Sequence, residues 1–138
     1  MFGIIAVPNQ SAYNASKFAV SGLTEALRQE LEVAGSAVSC TSFHPGGIKT
    51  NIANSARWID SGKPNAAEHH SSALADFDRL ALTGPESAAA QILKAVTNNK
   101  RRLMIGGDAK IVDLIQRLMP ISYAWFINKW LGDTTNKI

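Results

Sequence analysis

The sequence predicts an α/β fold in which short parallel strands alternate with helices, laid out as the back half of a larger sheet. Three observations carry this. Amphipathic stretches alternate with short apolar runs, the order that gives parallel strands joined by right-handed crossovers. Only two clear strands occur, with a stub at residues 3–7. So few strands make a poor parallel sheet, because both faces and both edges need cover. Charged residues make up 18% of the 138-residue chain, against about a quarter in typical domains. Such a deficit is expected where surface meets other protein.

The first helix is predicted from Ser11 to Gly35. Val20, Leu23, Leu27 and Leu31 recur at spacings of three and four, with polar residues between them. Asn9 or Ser11 is the expected N-cap and Gly35 the stop. Ala37 to His44 then reads as a buried strand carrying Val38, Cys40, Thr41 and Phe43, halted by Pro45-Gly46-Gly47. From Lys49 to Gly84 the pattern weakens, with a Gly62-Lys63-Pro64-Asn65 turn and a helical patch at Ala73–Leu82. A long irregular insert of this kind is often a lid. Thr83-Gly84-Pro85-Glu86 opens the next helix with capping-box spacing and Pro in the first turn. Its expected apolar face is Ala89, Ile92, Leu93 and Val96. Leu103-Met104-Ile105 is the second strand, ended by Gly106-Gly107. Asp108 is expected to cap a helix carrying Ile111, Val112, Leu114, Ile115 and Leu118, broken at Pro120. An apolar tail, Ile121 to Leu131, adds Tyr123, Trp125, Phe126 and Trp130.

Several functions find little support. The net charge is +3, from 14 Lys+Arg against 11 Asp+Glu. The one dense basic cluster, Lys100-Arg101-Arg102, reads as a solvated turn before a strand rather than a nucleic-acid face. The single cysteine, Cys40, allows no internal disulfide and suggests a reducing, cytoplasmic setting. Met1–Val7 lacks the basic start of a secretory signal, and no run reaches the ~18 apolar residues of a membrane span. His69-His70 lack further ligands at zinc spacing. His44, at the strand end, is expected to shape the site rather than catalyse. The tail either docks on the core or a partner subunit, or lies in a membrane interface with aromatic anchors.

Tyr13 and Lys17 lie four apart near the start of the first helix, so they share a face. A phenol ordinarily gives up its proton only near pH 10. A cation fixed about 5 Å away, at an effective dielectric near 20, favours the phenolate by about 3 kcal/mol. The pair thus suits proton transfer at a carbonyl oxygen. Tyr13-Asn14-Ala15-Ser16-Lys17, preceded by Gln10-Ser11-Ala12, resembles the YxxxK segment of the short-chain dehydrogenase/reductases. The helix continuing from Phe18 to Leu31 and the Phe43-His44-Pro45-Gly46-Gly47-Ile48-Lys49-Thr50-Asn51 run are similar to that family's next elements, in the family's order.

The resemblance implies a Rossmann-like doubly wound parallel sheet, of which residues 1–132 would be the C-terminal part. Residues 51–84 would be the substrate lid, 109–132 a helical tail and 133–138 a flexible end. It implies a cofactor, NAD or NADP, and an alcohol or ketone substrate, hydrophobic by the character of lid and tail. Tyr13 would be the proton donor and acceptor, and Lys17 would bond the nicotinamide ribose and support the phenolate. Pro45, Gly46 and Ile48 would bring backbone toward the carboxamide, with Thr50 adding a hydroxyl. Pairing into a homo-oligomer would run through the Ser11–Gly35 helix. The family's Gly-rich turn and its Asn have no counterpart ahead of Tyr13, and its catalytic serine would fall at or before Met1. Met1 is therefore expected to be an internal Met of a longer protein, and the chain alone to be inactive. The alternatives are a non-catalytic interaction module and a fragment held at a membrane.

Overall fold

In a computed structural model the described residues are 2–8, 10–52, 54–56, 74, 75, 79 and 81–130. They form α1 (Ser11–Val33), β1 (Ser42–Pro45), α2 (Pro85–Thr97), β2 (Arg102–Ile105), α3 (Gly107–Leu118) and α4 (Tyr123–Trp130). β1 and β2 pair in parallel, in register from Ser42 opposite Arg102 to Pro45 opposite Ile105. The expected parallel pairing is therefore present. β1 is shorter than the predicted 37–44 run and includes Pro45, because a four-residue partner strand can order only four residues opposite it. Most of the expected lid, the tail beyond Trp130, Asn9, Trp58 and His69-His70 lie outside the described residues.

The predicted stub at residues 3–7 is not a strand. Gly3 takes a left-handed φ of 95° and turns the chain, so that Phe2 and Ile5 bridge each other. The turn drives Ile4 and Ile5 into a core shared with Val112 of α3, with Val7, Met104 and Tyr123 against it. The Ala6 N–H donates to the Tyr123 hydroxyl at 3.2 Å, so the start of the chain is pinned beside the start of α4. A Cβ on Gly3 would lie 2.8 Å from the Lys17 carbonyl oxygen. Gly3→Ala is therefore expected to lower stability by about 2 kcal/mol, through both the clash and the strained φ. Gly22, within α1, has open space where a Cβ would go. Gly22→Ala is expected to stabilise by about 0.5–1 kcal/mol. Thermal unfolding of the two variants should move in opposite directions, and equal shifts would contradict this account.

α1 begins after Gln10, not after a capping Ser or Asn, and no side chain caps it. It ends as expected at Gly35, whose φ is 64°. There Ser36 N–H donates to Leu31 O at 2.9 Å and Gly35 N–H to Glu32 O at 3.1 Å, the Schellman pattern that satisfies the last carbonyls. The face α1 buries most deeply is offset from the apolar stripe that periodicity picks out. Its buried residues are Asn14 and Arg28, while Val20 and Leu23 are 59% and 68% exposed. Periodicity shows which stripe is apolar, not what covers it.

The buried Arg28 replaces an apolar seam. Its Nη1 donates to Cys40 O at 2.6 Å and Lys100 O at 3.3 Å. Its Nη2 donates to Asn99 O at 3.2 Å and Asn99 Oδ1 at 2.9 Å, and its Nε pairs with Glu32 at 2.9 Å. One guanidinium thus ties α1 to the segments entering both strands. Arg28, and then Arg101, hold the Glu32 carboxyl below its usual range by hydrogen bonding.

α2 opens at Pro85 behind an N-cap Gly84, with no side-chain cap. The expected Thr83–Glu86 capping box is absent because the Thr83 backbone is engaged elsewhere, bridging Ile48. Ala88 and Ala95 are its buried residues, so small side chains let it lie close on β2, while the predicted Leu93 and Val96 are exposed. Asn99 follows in the left-handed region at φ 49°. α3 starts at Gly107 behind N-cap Gly106, and buries Ala109 and Val112. Asp108 is the second helical residue, not the cap. Ile111, Leu114 and Leu118 are exposed, and the helix stops before Pro120 as expected. In α4, Lys129 Nζ lies 5.0 Å from the Trp125 ring centroid. Among the described residues no helix is long and apolar enough to cross a membrane.

Candidate active site

The first turns of α1 place Tyr13 and Lys17 together. Lys17 Nζ sits 5.2 Å from the centroid of the Tyr13 ring, and Tyr13 is 47% exposed. Phe2 meets the same ring edge-on, at 5.2 Å between centroids and 74° between planes. The Gly3 turn brings Phe2 there. Asn14, buried between them, donates from Nδ2 to Val7 O at 2.8 Å, which fixes the approach of the chain to α1.

The second part of the site is the turn that ends β1. Gly46 N–H donates to Ile105 O at 2.9 Å, extending the ladder by one bond. Beyond it, Thr83 N–H donates to Gly47 O at 3.1 Å and Lys49 N–H to Thr83 O at 2.8 Å. In this parallel bridge the bonds run through the residues flanking Ile48. The N–H and C=O of Ile48 itself take part in neither. From the other side, Gly47 N–H donates to Asp108 Oδ2 at 2.7 Å.

β1 contributes alternate side chains. Ser42 and His44 are buried while Phe43 and Pro45 lie on the opposite, more open side, the period-two pattern of a strand. Ser42 Oγ and His44 Nε2 are 2.9 Å apart. Burial first, and then the Arg102 guanidinium, pull the His44 imidazole down to about 4 from its ordinary 6.5. His44 is thus an uncharged wall residue near neutrality, in keeping with the expected shaping role.

All six residues singled out from the sequence, Tyr13, Lys17, Pro45, Gly46, Ile48 and Thr50, line a single cavity of about 680 Å³. That volume lies within the usual range for small-molecule sites. Phe2, Val7, Val20, Ile52 and Leu82 add apolar wall, and Asp108 supplies a carboxylate. Sequence reasoning missed Asp108 as a site residue. It read as a helix cap, and its partner lies 61 residues away. It also missed what Gly46 accommodates: the space of a Cβ there is filled by the Asp108 carboxylate. Among the described residues no group of three or more His, Cys, Asp or Glu could hold a metal ion.

Comparison with known proteins agrees with this geometry. The short chain dehydrogenase family matches residues 1–59, the part that holds both the Tyr13/Lys17 pair and the Pro45–Thr50 turn. The match does not extend over the whole chain, and similarity beyond residue 59 comes from individual relatives. SadH of Mycobacterium tuberculosis, which is named as an oxidoreductase, is 49% identical over 124 residues, covering 89% of this chain and 43% of that protein. Dehydrogenase/reductase SDR family member 7B of Danio rerio is 35% identical over 107 residues, covering 76% of this chain and 31% of that protein. Farnesol dehydrogenase of Aedes aegypti is 47% identical over 45 residues, covering 33% of this chain and 18% of that protein. No solved structure gives a significant match. The chain thus spans less than half the length of these relatives. Over residues 1–59, which hold Tyr13, Lys17 and the strand-end turn, the chain is thus similar to the short-chain dehydrogenase family, and over most of its length to individual relatives named as oxidoreductases or dehydrogenases.

Proposed function

We propose that this chain supplies the catalytic pair and the nicotinamide end of an NAD(P)-dependent oxidoreductase that interconverts an alcohol and a carbonyl. In that reading β1 and β2 belong to the C-terminal part of a doubly wound sheet. The observation that carries it is the convergence of Tyr13, Lys17 and the Pro45–Thr50 turn on one cavity. The residues present fit the nicotinamide half of the cofactor: an open phenol, an ammonium beside it, and a turn whose Ile48 peptide groups the bridge leaves unused. The bound cofactor would supply or accept the hydride. Tyr13 would pass its hydroxyl proton to the substrate oxygen, or take it back in the reverse direction. Lys17 would hold the ribose, and Thr50 would meet the carboxamide or a phosphate. The apolar wall, together with a relative named for farnesol, favours a hydrophobic alcohol or ketone.

Saturation-transfer NMR with NADH and NADPH tests this. Nicotinamide protons should receive saturation from the chain. Lys17→Ala should weaken the nicotinamide signal about tenfold, the loss of one charge-assisted hydrogen bond. Signal from adenine alone would refute the assignment.

The exposed Val20, Leu23 and Leu27 on α1 favour a second, compatible role. This face would pair with a second copy of the chain, as the SDR resemblance implies for this helix. Sedimentation of a Leu23→Glu variant should then show a smaller species than the parent chain.

A further inference from the structure

We infer that Asp108 is a positioning residue for the Pro45–Ile48 turn, and that through this turn it sets affinity for the nicotinamide. The inference rests on the function proposed above. Four observations converge on it. Asp108 Oδ2 accepts the Gly47 N–H at 2.7 Å, a short bond to an ionised acceptor. Thr83 holds the other polar group of the same residue, the Gly47 carbonyl, at 3.1 Å. The carboxylate occupies the place that a side chain on either Gly46 or Gly106 would take. Finally, Asp108 Oδ1 is buried with no hydrogen-bond partner among the described residues.

The geometry gives these contacts a consequence. A trans peptide is planar, with its N–H opposed to its C=O, and no peptide described is cis. With the Gly47 carbonyl directed at Thr83, the Ile48 N–H in the same peptide plane points away from Thr83. Asp108 fixes the preceding N–H and so removes the rotation left to Gly47, which has no side chain to restrict it. The orientation of the Ile48 N–H, the group a carboxamide would meet, is then set by Asp108 and Thr83 acting on both ends of Gly47.

The test compares Asp108→Ala and Asp108→Asn with the parent chain. Amide exchange at Gly47 is followed by NMR, with mid-α1 amides as the internal reference, and NADH affinity is read from the nicotinamide protons. Asp108→Ala should speed Gly47 exchange and weaken NADH binding, each about tenfold or more, while α1 amides stay unchanged. Asp108→Asn should restore most of both, because its amide oxygen can accept the same bond. If the alanine chain does not fold, Asp108→Ser carries the same expectation, since its hydroxyl is too short to reach Gly47. Unchanged Gly47 exchange, or faster exchange with unchanged NADH affinity, overturns the role of Asp108 alone. A parent chain that gives no nicotinamide signal overturns the proposed function and this inference with it.

Discussion

Arg28→Met is expected to lower stability by about 3 kcal/mol, the cost of leaving buried backbone carbonyls without their donor. Met fills the length of the Arg stem but donates nothing. Cys40 O, Asn99 O and Lys100 O, which accept from Arg28 between 2.6 and 3.3 Å, would lose their partner, at about 1–3 kcal/mol for each that stays dry. A chain of this size has about 5–15 kcal/mol in total, so the loss should be plain in urea unfolding. Arg28→Lys should recover only part of it, since an ammonium cannot serve Cys40, Asn99 and Glu32 as a planar fork does. Superimposable unfolding curves for the parent and Arg28→Met chains would show that α1 docks by other means. Because Arg28 holds the segments entering both strands, the variant should also loosen amide protection at Ser42 and Arg102 before that of mid-α2.

What the sequence made legible follows from the range of each interaction. Tyr13 and Lys17 are one helical turn apart, and Pro45 to Thr50 are nearly contiguous, so motif order alone was enough to find them. Their meeting at one cavity needed the fold. Arg28 and Asp108 were illegible for a physical reason. Apart from Glu32 and the Asn99 side chain, their partners are backbone groups 12 to 72 residues away in the chain, and a backbone N–H or C=O carries no residue signature. The helices were found by periodicity, which does not say what covers the apolar stripe of α1. Val20, Leu23 and Leu27 look like core because they are apolar, but the neighbours they need are not among the described residues. Near β1 the error was one of extent. Ala37–Thr41 has strand-like composition, but a strand is a pairing, and β2 offers only four residues.

Below pH 6.5 the chain is expected to lose stability through His44, by about 3 kcal/mol once the pH reaches 4. His44 is 3% exposed and titrates at about 4 in the fold against 6.5 for a free imidazole. The sign follows from proton counting. Between these values the unfolded chain holds a proton on His44 and the folded chain does not, so acid favours unfolding. Above pH 6.5 both states are neutral and the group contributes no slope. Between 6.5 and 4 the slope approaches 1.4 kcal/mol per pH unit, and below 4 both states are charged and the loss stops growing. His44→Gln can keep a hydrogen bond to Ser42 without a titrating ring, so the difference between the two unfolding curves isolates this contribution from that of the carboxylates. A difference that does not change between pH 7 and 4.5 would mean that His44 opens to water in the fold.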